Sequence, residues 1–159
     1  MQRLNGLFKV LVIPISTPIL VGVYNSNNVL IEKFSQDGKT SDILPDIFKA
    51  IFEKYDLETI YYVNGPGSYM SIKVAYIFLK TLSISKDLVF KSASGFHFNQ
   101  NSPIKALGKK YFFNSNDDTI TLDFLKPNEQ LKEFLLPDKI DTNIFNQNSL
   151  PNYNLPAIN

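Results

Sequence analysis

The stretch Val63-Asn64-Gly65-Pro66-Gly67-Ser68-Tyr69 constrains the fold of this chain more than any other. An apolar run that ends in Gly-Pro-Gly-Ser and opens into a long apolar segment of helical spacing reads as strand, tight turn, helix. Thr59 to Val63 is apolar at neighbouring positions, as a strand covered on both faces requires. Beyond the turn, from Ser68 to about Ile84, Ile72, Ala75, Leu79 and Leu82 fall in one helical stripe, and Val74, Ile77, Phe78 and Thr81 cover much of the rest. Only the line Tyr69, Lys73, Tyr76, Lys80 is amphipathic or charged. A helix apolar over so much of its circumference has to be buried twice, once by its own sheet and once by something else, for which another protein is a candidate.

The upstream sequence supplies the sheet. Phe8 to Ser16, Ile19 to Tyr24 and Val29 to Phe34 are rich in β-branched residues, and Asn25-Ser26-Asn27-Asn28 joins the second run to the third as a hairpin turn. Three antiparallel strands follow, with Pro14 inside the first predicting an edge position or a bulge. After the Asp37-Gly38 turn, Thr40 or Ser41 caps a helix whose apolar positions are Ile43, Leu44, Ile47, Phe48, Ile51, Phe52 and Tyr55. Pro45 is placed in its first turn, where no amide hydrogen is needed.

Downstream, Leu88 to Lys91 reads as another strand, followed by a poor helical segment around Phe96 and Phe98. Ile104 to Leu107, Tyr111 to Asn114 and Thr119 to Leu122 form a small meander, Pro127 to Leu135 a short helix, and Asn143 to Asn159 a tail pinned by Tyr153 and Leu155.

Composition narrows the function classes. A chain of 159 residues with 44% apolar side chains supports one core, or one lobe with a small second one. Its 16 basic and 15 acidic residues leave a net charge of +1, too little for a global field that gathers nucleic acid or lipid. With no cysteine, disulfides, thiolate metal sites and a cysteine nucleophile are excluded. Met1 to Phe8, with Arg3, leads into Val10 to Ile13 as a first strand and not a signal peptide, and Lys73 and Lys80 interrupt the most apolar helix, so a cytoplasmic address is expected.

Few residues carry chemistry. Gly65, Gly67 and Ser68 before a helix have two readings: a tight turn with Ser68 as N-cap, or backbone amides that cradle an anion. A P-loop would place Lys where Ser68 stands. His97, the sole histidine, has no Ser or carboxylate pattern beside it and reads as structural. Asp42 and Asp46 favour a helix N-terminus, Asp117 and Asp118 belong to a turn, and neither pair has the company a metal needs; no cofactor is expected. Lys109-Lys110 beside Tyr111 is a minor nucleic-acid candidate and, equally, an ordinary solvated strand end.

The run GPGSYMSIKVAYIFLKTLS resembles the GPGS-aromatic-hydrophobic-basic stretch of the TsaB (YeaZ) family, the scaffold subunit for threonylcarbamoyladenosine modification of tRNA. KVLVIPISTPILVGVYNSNNVL is similar to that family's opening hairpin, TSDILPDIF to its first helix start, and PNYNLPAIN to its Pro-x-Tyr ending; the likeness is good from Val10 to Ser85. The resemblance implies an α/β, actin-like (ribonuclease-H-like) mixed sheet with an N-terminal hairpin and two packed helices over residues 1–92, and a reduced, diverged second lobe over 93–159. It implies a non-catalytic chain that pairs with a TsaD-type catalytic subunit, is joined by a TsaE-type ATPase, and meets tRNA only indirectly. Pro14 stands where actin-like ATPases carry an Asp, which argues against nucleotide hydrolysis by this chain. The expected interface is Ile43, Ile47, Ile51, Tyr69, Ile72, Lys73, Tyr76, Leu79 and Lys80. A homodimer through the same helices and a glycopeptidase-like or anion-binding hydrolase are the alternatives.

Overall fold

The computed structural model describes residues 4–154. Met1, Gln2 and Arg3 lie outside the described residues, as do Leu155, expected to help pin the tail, and the end of the C-terminal resemblance. Strands β1 (Leu4–Ile13), β2 (Ile19–Tyr24) and β3 (Leu30–Gln36) are followed by helix α1 (Thr40–Lys54), strand β4 (Tyr55–Val63), helix α2 (Tyr69–Ser85) and strand β5 (Val89–Ala93). They form one five-stranded sheet in the order β3-β2-β1-β4-β5. The hairpin side is antiparallel, with Val12 opposite Val21 and Val21 opposite Phe34; β1, β4 and β5 run parallel, with Val10 opposite Ile60 and Ile60 opposite Phe90.

β1 is the central strand, and Pro14 follows its last residue, so the proline ends the strand instead of marking an edge or a bulge. At that position no ladder amide is required. The bulges of β1 lie near its start, between Leu4 and Leu7 and between Phe8 and Lys9. α1 also differs from expectation at its N-terminus. Its N-cap is Lys39, without a side-chain cap, and Thr40 is already helical. Pro45 is therefore in the second turn, where it forfeits the intrahelical bond that would reach the Ser41 carbonyl. Ser68, by contrast, caps α2 as its residue type predicts, its hydroxyl accepting the Ser71 amide at 3.5 Å.

Both faces of the sheet are covered, by different means. On one face, Ile43, Leu44, Ile47, Phe48 and Ile51 of α1 and Ala75 and Leu79 of α2 pack on Val10, Val12, Val21, Val23, Ile60 and Tyr62. The two helices meet through Phe48 and Phe78, whose rings are edge-on at 5.7 Å. On the other face, Leu11, Ile13, Tyr24, Tyr61, Val63 and Ala93 are covered by Phe98, Ile140 and Phe145, with Phe134, Leu136 and Ile144 beside them. Each such side chain fully withdrawn from water contributes about 1.5–3 kcal/mol before the entropy of ordering it is charged.

The segment after β5 begins with a 3-10 turn at Gly95–His97 and the expected meander, β6 (Ile104–Lys105), β7 (Lys110–Asn114) and β8 (Ile120–Phe124), in a separate three-stranded sheet. Pro127 to Leu135 is not the short helix expected. Its amides are committed elsewhere: Lys132 donates to the Ser102 hydroxyl and Leu135 to the Phe98 carbonyl, both at 2.9 Å. The chain then crosses the second face with a single 3-10 turn, Thr142–Ile144, as its regular structure. Leu30 donates to Asp138 at 2.8 Å and Ile140 to Asn28 at 2.9 Å near the β2–β3 turn, and Ser92 pairs with Asn146 beyond β5.

Tyr24 ties this wrap to the sheet. Its ring is fully buried and its hydroxyl donates to the Pro137 carbonyl at 2.7 Å. Burial, and then the charge of Asp138, pushes the phenol far above its ordinary value, and burial does the same to Tyr62. A group whose pKa is raised on folding stabilises fully below its unfolded pKa, near 10 for tyrosine, and that contribution is lost as pH rises beyond it. Urea midpoints are therefore expected to hold through neutral pH and to fall above about pH 10, with a shallower fall in the Tyr24→Phe/Tyr62→Phe double variant. Tyr24→Phe alone costs about 1 kcal/mol at neutral pH. An alkaline limb of equal steepness in the double variant would contradict this assignment.

Candidate partner-binding face

α2 is set in direction by the turn that precedes it. Gly65 has φ +133°, a backbone conformation that side chains rarely adopt. Its carbonyl accepts the Gly95 amide at 2.9 Å, and Asn64 donates to the Ala93 carbonyl at 3.1 Å, so the turn is fastened to the end of β5. The peptide between Gly65 and Pro66 is cis. Gly67 is packed under Ile15: a Cβ on Gly67 would lie 2.6 Å from Ile15 Cγ2, and one on Gly95 would lie 2.7 Å from Ile15 Cδ1. The loop after β1 thus inserts an isoleucine between the loops after β4 and β5.

That arrangement decides what the turn can do chemically. Gly65, Pro66 and Gly67 are buried, Ile15 fills the space against Gly67, and the Asn152 carbonyl lies where a Gly65 side chain would begin. Ser68 is exposed and engaged as the cap. An anion approaching the glycines meets aliphatic carbon and a carbonyl oxygen, so the turn serves as a rigid corner.

The nine expected interface residues divide by burial. Ile43, Ile47, Ile51, Ile72 and Leu79 are buried inside the chain's own core. The periodic stripe that marks them is the face each helix turns toward the sheet, so a partner of the folded chain cannot touch them. Tyr76 is half-buried on the β5 side, its ring 6.2 Å from Phe90 and 6.3 Å from Tyr62. Lys80 is half-buried, and Tyr69 and Lys73 are exposed, with the Lys73 ammonium 5.7 Å from the Tyr69 ring centre.

Beyond Tyr69, the accessible apolar surface of α2 consists of other residues. Met70, Ile77 and Ile84 are 61%, 55% and 71% exposed and recur every seven residues, which keeps them on one line along the helix. Beside this line, between α1 and α2, lies a groove of about 340 Å³ lined by Pro45, Val74, Ile77 and Phe78 with Thr40, Ser41 and Thr81. The Thr81 hydroxyl donates to the Ile77 carbonyl at 2.7 Å, so its one O–H donor is spent within the helix. Val74, Ile77, Phe78 and Thr81 are visible in the sequence as the second apolar side of α2; the part of Pro45 in the groove is not, because it depends on where α1 starts.

The remaining candidates are dispersed. His97 is exposed in the 3-10 turn, its ring 6.3 Å from Phe98. Asp42 and Asp46 are exposed on α1. Asp117 accepts from the Ser115 hydroxyl and the Thr119 amide in the β7–β8 turn, bonds that hold its carboxyl below the usual carboxylate range. Lys109 and Lys110 are exposed at the start of β7, with the Lys110 ammonium 5.5 Å from the Phe124 ring centre. Among the described residues, no three His, Asp or Glu side chains are grouped so as to hold a metal ion, and no helix is long and apolar enough to cross a membrane.

A mixed sheet with an antiparallel hairpin on one side, parallel strands on the other and two helices on one face defines the actin-like, ribonuclease-H-like class. The same fold is present in YeaZ from Pseudomonas aeruginosa, with a TM-score of 0.59, 9% sequence identity, and coverage of 82% of this chain and 65% of that one. An uncharacterized protein described as having similarity to peptidase YEAZ from Pseudomonas aeruginosa gives a TM-score of 0.55 at 10% identity, covering 82% of this chain and 64% of that one. The chain thus spans slightly less than two thirds of the length of either. No family model matches the sequence, and no curated protein matches it.

The contact between Ile15 and Gly67 is open to a double-mutant cycle. Gly67→Ala is expected to cost about 1–3 kcal/mol in urea unfolding, because the new methyl meets Ile15. Ile15→Ala in the same chain should recover part of that cost. Costs that simply add would show that the two residues do not share the space.

Proposed function

We propose that this chain is a shortened, diverged relative of the TsaB (YeaZ) family, and that it acts as a non-catalytic scaffold in threonylcarbamoyladenosine modification of tRNA. It pairs with a TsaD-type catalytic subunit through the outer surface of α1 and α2, a TsaE-type ATPase joins the pair, and tRNA is met through the partner. The observation that carries this reading is the exposed line Met70, Ile77, Ile84 beside the groove at Pro45, Val74 and Phe78. A line repeating every seven residues suits the seam of another helix, which would seat its own apolar side chains in the groove. Exposed Asp42 and Asp46 on α1 and Lys73 on α2 supply charges of both signs around an apolar centre, the anatomy of a protein interface. Docking there holds the catalytic subunit in its working arrangement and leaves the core of this chain undisturbed.

A hydrolytic reading has one support, the description of a structural neighbour as similar to a peptidase. Against it stands the packing of the glycine turn, where Ile15 lies against the Gly67 backbone. The homodimer reading uses the same groove and is separated from the heterodimer by experiment.

Ile77→Asp tests the assignment, because Ile77 is half-exposed in the single chain and central to the proposed seam. A probe at Tyr76 would disturb its packing on Phe90 and Tyr62. Titration calorimetry against the TsaD-type subunit is expected to show affinity weakened by about 30-fold or more, with the thermal midpoint of the isolated variant little changed. Unaltered affinity would remove the groove from the interface. Sedimentation of the chain alone shows whether it also self-associates.

A further inference from the structure

Phe145 divides the end of the described chain into two parts held by different forces. Up to Phe145, whose ring lies 4.0 Å from that of Tyr61, the wrap is fixed by burial in the core. Beyond it, the chain is held almost wholly by hydrogen bonds to its own main chain. Ser92 and Asn146 exchange amide-to-carbonyl bonds at 3.0 and 2.7 Å beside β5. The Ser92 hydroxyl donates to the Asn148 carbonyl at 2.7 Å, and the Tyr62 hydroxyl donates to the Ser149 carbonyl. The Asn64 side-chain amide donates to the Leu150 carbonyl at 3.0 Å, and the Asn152 amide donates to the Asn64 carbonyl at 2.8 Å. The Tyr153 ring then lies 4.5 Å from the Tyr69 ring, on the first turn of α2.

Apart from the Tyr153 ring, the side chains of this stretch contribute little. Asn146, Gln147, Asn148, Leu150 and Asn152 are exposed, Pro151 and Tyr153 are half-buried, and Ser149 is buried. Main-chain recognition beside a strand edge, continued by side-chain donors aimed at successive carbonyls, is how proteins bind an extended peptide. Gly65 belongs to the same channel, since any side chain there would collide with the Asn152 carbonyl. Hydrogen bonds of this kind are exchanged for bonds to water on opening, whereas opening the core exposes apolar surface; the two parts should therefore open separately.

We propose that residues 146–153 are a releasable strap, an internal ligand lying in a channel that recognises extended peptide main chain from Ser92, past the Tyr62 hydroxyl, to Gly65. Release of the strap leaves the sheet and both helices folded and frees the glycine turn and Tyr69. The inference stands independently of the proposed partner.

Native-state hydrogen exchange on the full chain tests it. The amides of Asn146 and Asn152 are expected to exchange about 100-fold or more faster than those of the central strands β1 and β4. In the full-length Tyr153→Ala variant, exchange at Asn146 and Asn152 should accelerate with no change in β1, and a capped synthetic peptide of residues 145–154 should slow exchange of the Ser92 amide, which donates into the channel, while its competition speeds Asn146 and Asn152 further. Exchange of the strap together with the central strands, or acceleration by Tyr153→Ala that is equal in both places or absent from both, would overturn the proposal. So would a peptide that leaves the variant's exchange unchanged.

Discussion

A sheet whose central strands are apolar on both faces has to be covered twice, and the remaining features of this chain follow from how that is done. β1 and β4 place Val10, Val12, Ile60 and Tyr62 on one face and Leu11, Ile13, Tyr61 and Val63 on the other. The parallel connection from β4 to β5 supplies α2 on the first face, next to α1. Among the described residues no α-helix covers the second face, so the largely irregular segment between Phe134 and Phe145 lies across it. Tyr24 and its bond to Pro137 fix that segment to the sheet.

Once the inner sides of α1 and α2 are committed to the sheet, the outer side of α2 is left exposed. The glycine corner settles its direction. Gly65 bonds to Gly95, Gly67 accepts Ile15 against its backbone, and Ser68 starts the helix, so α2 leaves the end of β4 at a fixed angle. A corner filled by Ile15 holds the start of α2 against the ends of β1 and β5. In the proposed pairing, the apolar line from Met70 to Ile84 receives the partner's helix.

Much of this was legible in the sequence. The β-branched runs, the Asn25 to Asn28 turn, the Gly-Pro-Gly-Ser corner and the late meander each have local signals, and the structure has these elements close to the expected places. What escaped was set by tertiary context. Pro14 looked like a defect within a strand because nothing local marks Ile13 as the last paired residue. Pro127 to Leu135 has helical spacing, but the Phe98 carbonyl and the Ser102 hydroxyl take its amides. Periodicity finds the face that a helix buries, so it selected Ile47, Ile51, Ile72 and Leu79, which serve this chain's own core. The face left over for a partner is read by subtraction, and only after the sheet has claimed its side.

The central claim is that a TsaD-type subunit meets this chain at the groove between α1 and α2. The most direct measurement is a titration of the full chain, methyl-labelled at isoleucine and valine, with that subunit, followed by NMR. The account predicts that the methyl signals of Val74 and Ile77 shift or broaden on complex formation, while those of Val12 and Ile60 in the core do not. A complex that forms with the Val74 and Ile77 signals unmoved, or with Ile120 of β8 perturbed in their place, would contradict it.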